Sequence, residues 1–338
     1  MKSDDALIQL GHGGGGLLSR ELIRTEILSR FGAAALRGLP DAATLPWAGG
    51  RSLVFTTDGY VVQPLEFPGG NIGDLAVHGT VNDIAVSGGV PRWLSLSLIL
   101  EEGLSRAVLG RVLDSVRRAA DECAVQVVTG DTKVVGRGQC DGLYVTTSGV
   151  GELLDGFFLA IEKVRAGDRV LVSGPLGDHG MAVLAARRNI AIQNGPRSDT
   201  APVHRLVLAV QPMAGHVRFM RDPTRGGLAA VLNELVEDRP VGILIRERQV
   251  PFSAGTRAVA ELLGIDPLQV ASEGRMILVC DPCAAEGILR VWRGMPEGSQ
   301  AVELGEVTEM SGRVVLETCT GGRRLVDVPR GELLPRIC

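Results

Sequence analysis

Short β-type runs and helix-length apolar faces alternate along almost the whole chain, and no other feature restricts the possible folds as much. Strand-like stretches are SLVFTTDGYVV (52–62), WLSLSLIL (93–100), VQVVTGDTKVV (125–135), DGLYVTTSGVGEL (141–153), RVLVSG (169–174), VGILIRE (241–247) and RMILVC (275–280). Shorter ones lie near 301–307 and 313–317, and a further short strand is expected at Ala6–Leu10. Between them apolar residues recur at helical spacing: Ile23, Ile27 and Phe31 in 20–31; Leu75, Val81, Ile84 and Ala85 in 75–86; Val108, Leu109, Val112, Leu113 and Val116 in 105–122. Ser19 is the expected cap of the first helix, and others are expected over 178–188, 228–237, 256–264 and 284–292. The order keeps no strict strand–helix–strand period and no fixed repeat. Two α+β domains therefore fit better than one doubly wound sheet.

At 338 residues the chain is too long for one core of ordinary size. The expected divisions are an N-terminal domain over 1–153, a second α+β domain over 154–318, and a C-terminal segment over 319–338. That last segment passes a polar GGRR turn and becomes a proline-bearing flexible tail from Pro329.

Net charge is -4 with no Lys/Arg-rich tract, which leaves no basic surface for nucleic acid or an anionic membrane. No apolar run approaches the ~20 residues of a membrane span, and the N-terminus carries two aspartates and no signal-peptide core. A soluble, cytoplasmic protein with reduced thiols is expected. Cys280 and Cys283 have CxxC spacing, but no second pair exists to complete a zinc site. The plainer reading is a strand end turning through Asp281-Pro282, with both cysteines as bystanders. Glycine is abundant, 45 residues, whereas aromatics are only 4%, so loops of bare backbone are more plausible ligand contacts than stacking platforms.

Chemistry-bearing residues collect at glycine-rich junctions. Gly11-His12-Gly13-Gly14-Gly15-Gly16 formally fits GxGxxG but lacks the surrounding βαβ unit, so it is either a linker or a loop that folds over phosphates. Asp58-Gly59 reads as a hairpin turn, Asp83 as a solvated helix residue, Asp131 as a strand-end turn and Asp222 as a helix N-cap. As a set they read differently. Four converging carboxylates would need cations, and hard oxygen donors beside phosphate are what Mg²⁺ takes. Lys133 and Arg225 follow Asp131 and Asp222 closely, placing positive charge where a phosphoryl group would need it. The chain also ends on a cysteine, Cys338.

TTDGYVV, the stretch PLEFPGGNIGDLAVHGTVNDIAVSGGVPRWL, ILEEGL, VTGDTKVV, SGPLGDHG, RDPTRGGL, SEGRM and the terminal PRIC together closely resemble the HypE family of hydrogenase maturation. These are carbamoyl dehydratases within the aminoimidazole-ribonucleotide-synthetase-like ATP-binding superfamily. The resemblance runs from about residue 10 to the end, and PRIC narrows it to this family. It implies a two-domain α+β fold, a homodimer formed through the N-terminal sheets, and ATP in a cleft. By motif, Asp58, Asp83, Asp131 and Asp222 would hold Mg²⁺ and phosphate. Gly13, Gly14, Gly15 and Gly16 would close over the phosphates, with Arg225, Gly226 and Gly227 lining the site. Lys133 and Glu273 match the family's reaction centre. Ser272-Glu273-Gly274-Arg275 stands where many members read Asn-Glu-Gly-Lys; the arginine keeps the charge.

The resemblance also gives Cys338 a role. It would receive a carbamoyl group from a HypF-like carbamoyltransferase, ATP would drive loss of water to a thiocyanate, and the cyano group would pass to iron on a HypC–HypD-like scaffold. A tail of ten residues reaches at most ~33–36 Å, far enough to present one sulfur to several partners. Two alternatives stand beside this reading. A selenophosphate-synthetase-like or thiamine-phosphate-kinase-like enzyme would not use a terminal thiol, and a non-catalytic nucleotide-binding scaffold would not need Asp58, Lys133, Asp222 and Glu273 together.

Overall fold

In a computed structural model the described residues are 7–14, 16–31, 39–190, 192–328 and 336–338. Two sheets organise them. The first contains β1 (Ala43–Pro46), β2 (Ser52–Tyr60), β5 (Gly89–Glu101), β6 (Gln126–Val135) and β7 (Leu143–Leu153), in the order β1-β2-β7-β5-β6. A two-stranded hairpin, β3 (Glu66–Phe67) and β4 (Gly70–Asn71), lies between β2 and β5 in the chain. The second sheet comprises β8 (Arg169–Val172), β9 (Val217–Arg221), β10 (Gly242–Arg246), β11 (Ile277–Cys280), β12 (Val302–Thr308), β13 (Val314–Glu317) and β14 (Arg323–Leu325). Its order is β14-β13-β10-β12-β8-β11-β9. Both sheets are antiparallel except at β5–β6 and β10–β13. This is the expected α+β class.

The helices are α1 (Leu17–Leu22), α2 (Ile72–Val86), α3 (Arg106–Glu122), α4 (Asp178–Arg187), α5 (His204–Val210), α6 (Gly227–Val236), α7 (Ala254–Leu263) and α8 (Pro282–Arg293). α2 starts on a capping box: Asn71 Oδ1 accepts from the N–H groups of Gly73 and Asp74, and Asp74 Oδ2 accepts from Asn71 N–H. Every α2 residue except Asp83 is buried, because the helix lies between the first sheet and α5 of the second domain. A one-sided apolar face is the wrong description for it. Glycines make the approach possible: a Cβ at Gly149 would come within 2.7 Å of Ile84 and Thr80 side-chain atoms. Part of the glycine excess thus serves helix–sheet packing rather than a ligand.

In the second domain the core is formed by the sheet and α6, where Leu228, Leu232 and Leu235 are fully buried. Each such side chain stabilises the fold by roughly 1.5–3 kcal/mol. α6 is capped by Gly226 (φ 79°) and starts at Gly227 (φ 58°); a Cβ at Gly227 would strike the Val270 carbonyl at 2.6 Å. A Gly227→Ala change would therefore push α6 off the loop that precedes Glu273.

Several local expectations fail. Asp58-Gly59 makes no turn; β2 runs straight through, with Asp58 opposite Thr147 and Gly59 opposite Thr146. The tertiary sheet overrides the turn preference of the dipeptide. Ser19 is not an N-cap: Gly16 holds that place, and Ser19 Oγ donates to the His12 carbonyl at 2.8 Å. Beyond Leu22 the helix widens into a π-turn (Ile23–Leu28), and Ile27 and Phe31 are 43% and 71% exposed, so no inward face forms. Residues 10–13 form a 3₁₀ turn rather than the end of a strand. The segment 204–221, with α5 and β9, and the strand β14 within the expected GGRR turn were not foreseen. Pro329 and Pro335, in the expected flexible tail, lie outside the described residues.

Candidate active site

Asp222 follows β9, Asp83 closes α2 and Asp41 precedes β1. One carboxylate oxygen from each lies within 4.8 Å of the others, which makes a three-acid cluster between the two sheets. Asp222 is no N-cap, since α6 is capped by Gly226. Nor is Asp83 a solvated helix residue: its Oδ2 accepts from Thr56 Oγ at 2.8 Å. Burial, then the charge of neighbouring acids, pushes both well above the ordinary carboxylate range. Asp41 is raised by burial, against the pull of Arg221, whose Nε donates to Asp41 Oδ2 at 3.1 Å. Asp41 was missed by sequence reading. It sits after a proline in an unremarkable loop, and only the fold brings it to Asp83 and Asp222.

Asp58 on β2 faces the same region. Its Oδ2 accepts from the Tyr60 hydroxyl at 2.9 Å, and burial raises its pKa while Arg225 opposes the rise. Arg225 donates to the Gly13 carbonyl at 3.2 Å, so the N-terminal glycine segment lies over the site. Gly14 and Gly16 flank it, whereas Gly15 is outside the described residues. The expected glycine loop and the RGG segment therefore meet.

Glu273 is no surface glutamate. It is 2% exposed, its Oε1 has no hydrogen-bond partner among the described residues, and burial followed by Asp222, Asp199 and Asp58 pushes its carboxyl well above the usual range. Arg225 is the positive charge that offsets this. Its backbone is held at two points: Asp199 Oδ1 accepts from Glu273 N–H at 3.1 Å, and Asn82 Nδ2 donates to the Glu273 carbonyl at 3.1 Å. Asn82 also accepts from Val203 N–H at 2.8 Å. This one side chain of α2, next to Asp83, ties the acid cluster to Glu273. Sequence reading passed over it.

The terminal residues are docked beside these groups. Val61 N–H donates to the Cys338 carbonyl at 3.0 Å, three residues beyond Asp58. Arg187 donates to the Arg336 carbonyl at 2.7 Å, and Ile337 is buried against α4 and the first sheet. His179 Nε2 lies 2.7 Å from the Ile337 carbonyl, and its Nδ1 lies 2.8 Å from Ser198 Oγ. A carbonyl only accepts, so Nε2 carries the proton. Burial lowers His179 to about 4, which keeps it neutral in that role. The nearness of Cys338 is the leading cause of the raised pKa of Arg225. Last residue, Arg225, Asp58 and Glu273 thus occupy one electrostatic neighbourhood.

Asp131 and Lys133 do not join it. They lie on β6, an edge strand, and pair with each other at 2.8 Å with 58% and 67% of their side chains exposed. The register runs Gly59, Thr146, Ser97, Asp131 across the sheet, so β2 and β6 stand about 14 Å apart. Within one chain the expected four-aspartate set is three acids plus Asp58, with Asp41 in place of Asp131. Cys280 is buried in β11, while Cys283 is exposed in the first turn of α8.

Comparison with known proteins agrees with this architecture. Residues 40–153 match the family described as AIR synthase related protein, N-terminal domain, and residues 165–317 match its C-terminal domain. A carbamoyl dehydratase HypE from Bradyrhizobium diazoefficiens is 47% identical over 98% of this chain and 96% of its own length. A solved HypE–HypF complex superimposes with a TM-score of 0.86 at 39% identity, covering 91% of this chain and 99% of that one. A HypE structure in complex with ATP gives a TM-score of 0.82 at 42% identity, covering 98% and 100%. Together with the terminal cysteine, whose carbonyl accepts from Val61 N–H and which raises the pKa of Arg225, these likenesses settle the affiliation: the chain belongs to the HypE family of carbamoyl dehydratases, within the AIR synthase related proteins.

Proposed function

We propose that this chain uses ATP to dehydrate a carbamoyl group carried on its own Cys338, giving a thiocyanate for the iron of a [NiFe]-hydrogenase. The observation that supports this most is the docked terminus, with the Cys338 carbonyl on Val61 N–H and with Arg225 feeling the charges of both Cys338 and Glu273. Carbamoyl oxygen does not leave as hydroxide at neutral pH. Its attack on the γ-phosphorus of ATP forms an O–P bond, releases ADP and turns that oxygen into a phosphate leaving group. One nitrogen proton passes to water at that stage. Glu273 takes the second as the C–O bond breaks, C≡N forms and phosphate departs. A carboxylate whose pKa is raised by burial is suited to that proton transfer near neutrality. Its Oε1, which has no hydrogen-bond partner among the described residues, would be the atom that receives it.

The residues present fit Mg²⁺: Asp41, Asp83 and Asp222 offer clustered hard oxygens whose mutual repulsion a divalent ion would relieve. With Asp58 beside them they would hold the ion, which supplies charge stabilisation to the phosphates. Arg225 and the Gly13–Gly16 segment would cover the nucleotide. Asp131 and Lys133 act, in this reading, from a second copy. Among the described residues β6 is an edge strand with no neighbour on its outer side, bearing Val127, Val128 and Val134 at 41%, 58% and 68% exposure, and pairing with another chain would cover it. A HypF-like carbamoyltransferase would load Cys338, and a HypC–HypD-like complex would accept the cyano group, in the cytoplasm. No helix among the described residues is long and apolar enough to cross a membrane.

The deciding experiment is mass spectrometry of the C-terminal peptide after the carbamoylated protein is incubated with ATP. Loss of one water is expected, with no such change in Cys338→Ala. Glu273→Gln should bind ATP and form no thiocyanate; retained dehydration would remove Glu273 from the reaction.

A further inference from the structure

On the second domain, away from the acid cluster, three side chains of different chemistry converge. His216 ends the 3₁₀ turn before β9, Asp281 is the N-cap of α8, and Cys283 stands two residues beyond it. One ligand atom from each lies within 4.8 Å of the others. The two segments are joined by backbone, since Asp281 N–H donates to the His216 carbonyl at 2.9 Å. Asp281 Oδ1 accepts from Cys283 N–H at 3.1 Å, which fixes the carboxylate relative to the thiol. The site is preorganised without any ligand.

We propose that His216, Asp281 and Cys283 form a surface site for one borderline divalent transition ion, with zinc as its simplest occupant. The spacing carries the argument. Tetrahedral zinc with Zn–S near 2.3 Å and Zn–N near 2.0–2.1 Å sets sulfur and nitrogen about 3.6 Å apart. His216 Nδ1 and Cys283 Sγ are 3.5 Å apart. A thiolate, an imidazole and a carboxylate suit zinc or cobalt better than magnesium or calcium, which take oxygen alone. Both His216 and Cys283 are exposed, so a fourth position is open to water or to a donor from another molecule.

Charge permits it. Arg165 and Arg218 donate to Asp281 Oδ2 at 3.2 and 3.0 Å, and buried Asp168 lies 3.9 Å from each guanidinium. Two arginines and two aspartates cancel. Ionisation of Cys283 on binding, with release of its proton, then leaves one negative charge facing the cation. Cys280, buried in β11, takes no part. The CxxC spacing is incidental; the partner of Cys283 is His216, 67 residues earlier.

The test uses the full chain, reduced and stripped of metal, with Cys338→Ala to silence the terminal thiol. Titration with Co²⁺ should give a thiolate-to-cobalt charge-transfer band and the intense visible bands of a tetrahedral ion, both saturating at one ion per chain and displaced by Zn²⁺, whereas an ion at the oxygen-only acid cluster gives no thiolate band. Cys283→Ser and His216→Ala should each weaken binding by at least about 100-fold. Asp281→Asn, which still caps α8, should weaken it as well, while exposed Cys319→Ser should not. Far-ultraviolet dichroism and the melting temperature check that each variant is folded. Absence of the thiolate band, its survival in Cys283→Ser, or unchanged affinity in Asp281→Asn would overturn the three-ligand site and leave a thiol–imidazole hydrogen bond.

Discussion

Asp222 follows strand β9 and Asp131 lies within strand β6, both precede a basic residue by two or three positions, and both belong to motifs that resemble the same family. The fold treats them oppositely. Asp222 is buried with Asp41 and Asp83, and its pKa is driven up by burial and like charge. Asp131 stands in solvent on an edge strand, and its pKa is lowered by Lys133 and the Thr132 N–H. A buried acid cluster stores repulsion that a cation can relieve, whereas an exposed ion pair stores almost nothing. In the proposed reading a second molecule brings the exposed pair to the buried cluster.

The largest effect should separate them at the level of chemistry. Asp222→Asn is expected to lower the single-turnover dehydration rate by about 10²–10³, the loss typical of removing one element of charge stabilisation. Mixing copies is sharper. If Asp131 acts across a dimer, equal amounts of Asp131→Asn and Asp222→Asn protein, unfolded and refolded together, should regain about a quarter of wild-type activity. Half the dimers are then mixed, each with one intact site of two. Activity no greater than that of the separate variants would place both residues in one chain's site.

Stability gives the next contrast. In the metal-free fold Asp41, Asp83 and Asp222 keep their protons to higher pH than in the unfolded chain. Above the ordinary carboxylate range the unfolded state therefore binds fewer protons, and this cluster's contribution to stability falls as pH rises. Asp222→Asn should melt a few degrees higher than wild type near neutrality, the response of a chain this size to about 1 kcal/mol. That difference should shrink as pH drops towards the ordinary carboxylate range, and on adding Mg²⁺. Asp131 has the opposite sign: its lowered pKa contributes stability above the ordinary range that is lost as pH falls through the folded value. Because the group is exposed, Asp131→Asn should leave the thermal midpoint unresolved from wild type at every pH. A melting shift in Asp131→Asn as large as that in Asp222→Asn would break the contrast.

Much of the framework was legible because it rests on local pattern. The apolar alternation of 143–153 and the helical spacing of 105–122 are solved by each segment alone, so both elements lie close to where periodicity put them. Asp58-Gly59 misled because its turn preference is local while its strand conformation is imposed by eight paired residues of β7. Helix 20–31 misled in the other direction. Its apolar spacing is real, but what holds its first turns is charge: Arg20 pairs with Glu234 and Glu237 across more than 200 residues. Asp41, Asn82 and His216 carried no signal, since each matters through a partner distant in the chain.

The sequence by itself determined the residue chemistry available: carboxylates at glycine-rich junctions, a terminal thiol, an α+β rhythm and the motifs that assign the family. Only the tertiary structure decided which of those groups meet. It placed Asp41 with Asp83 and Asp222, buried Glu273 behind Asn82, and seated Cys338 against Val61 while leaving Asp131 in solvent. Reactivity here depends on burial and on charges a few ångströms away, and both are set by contacts between segments far apart in the chain.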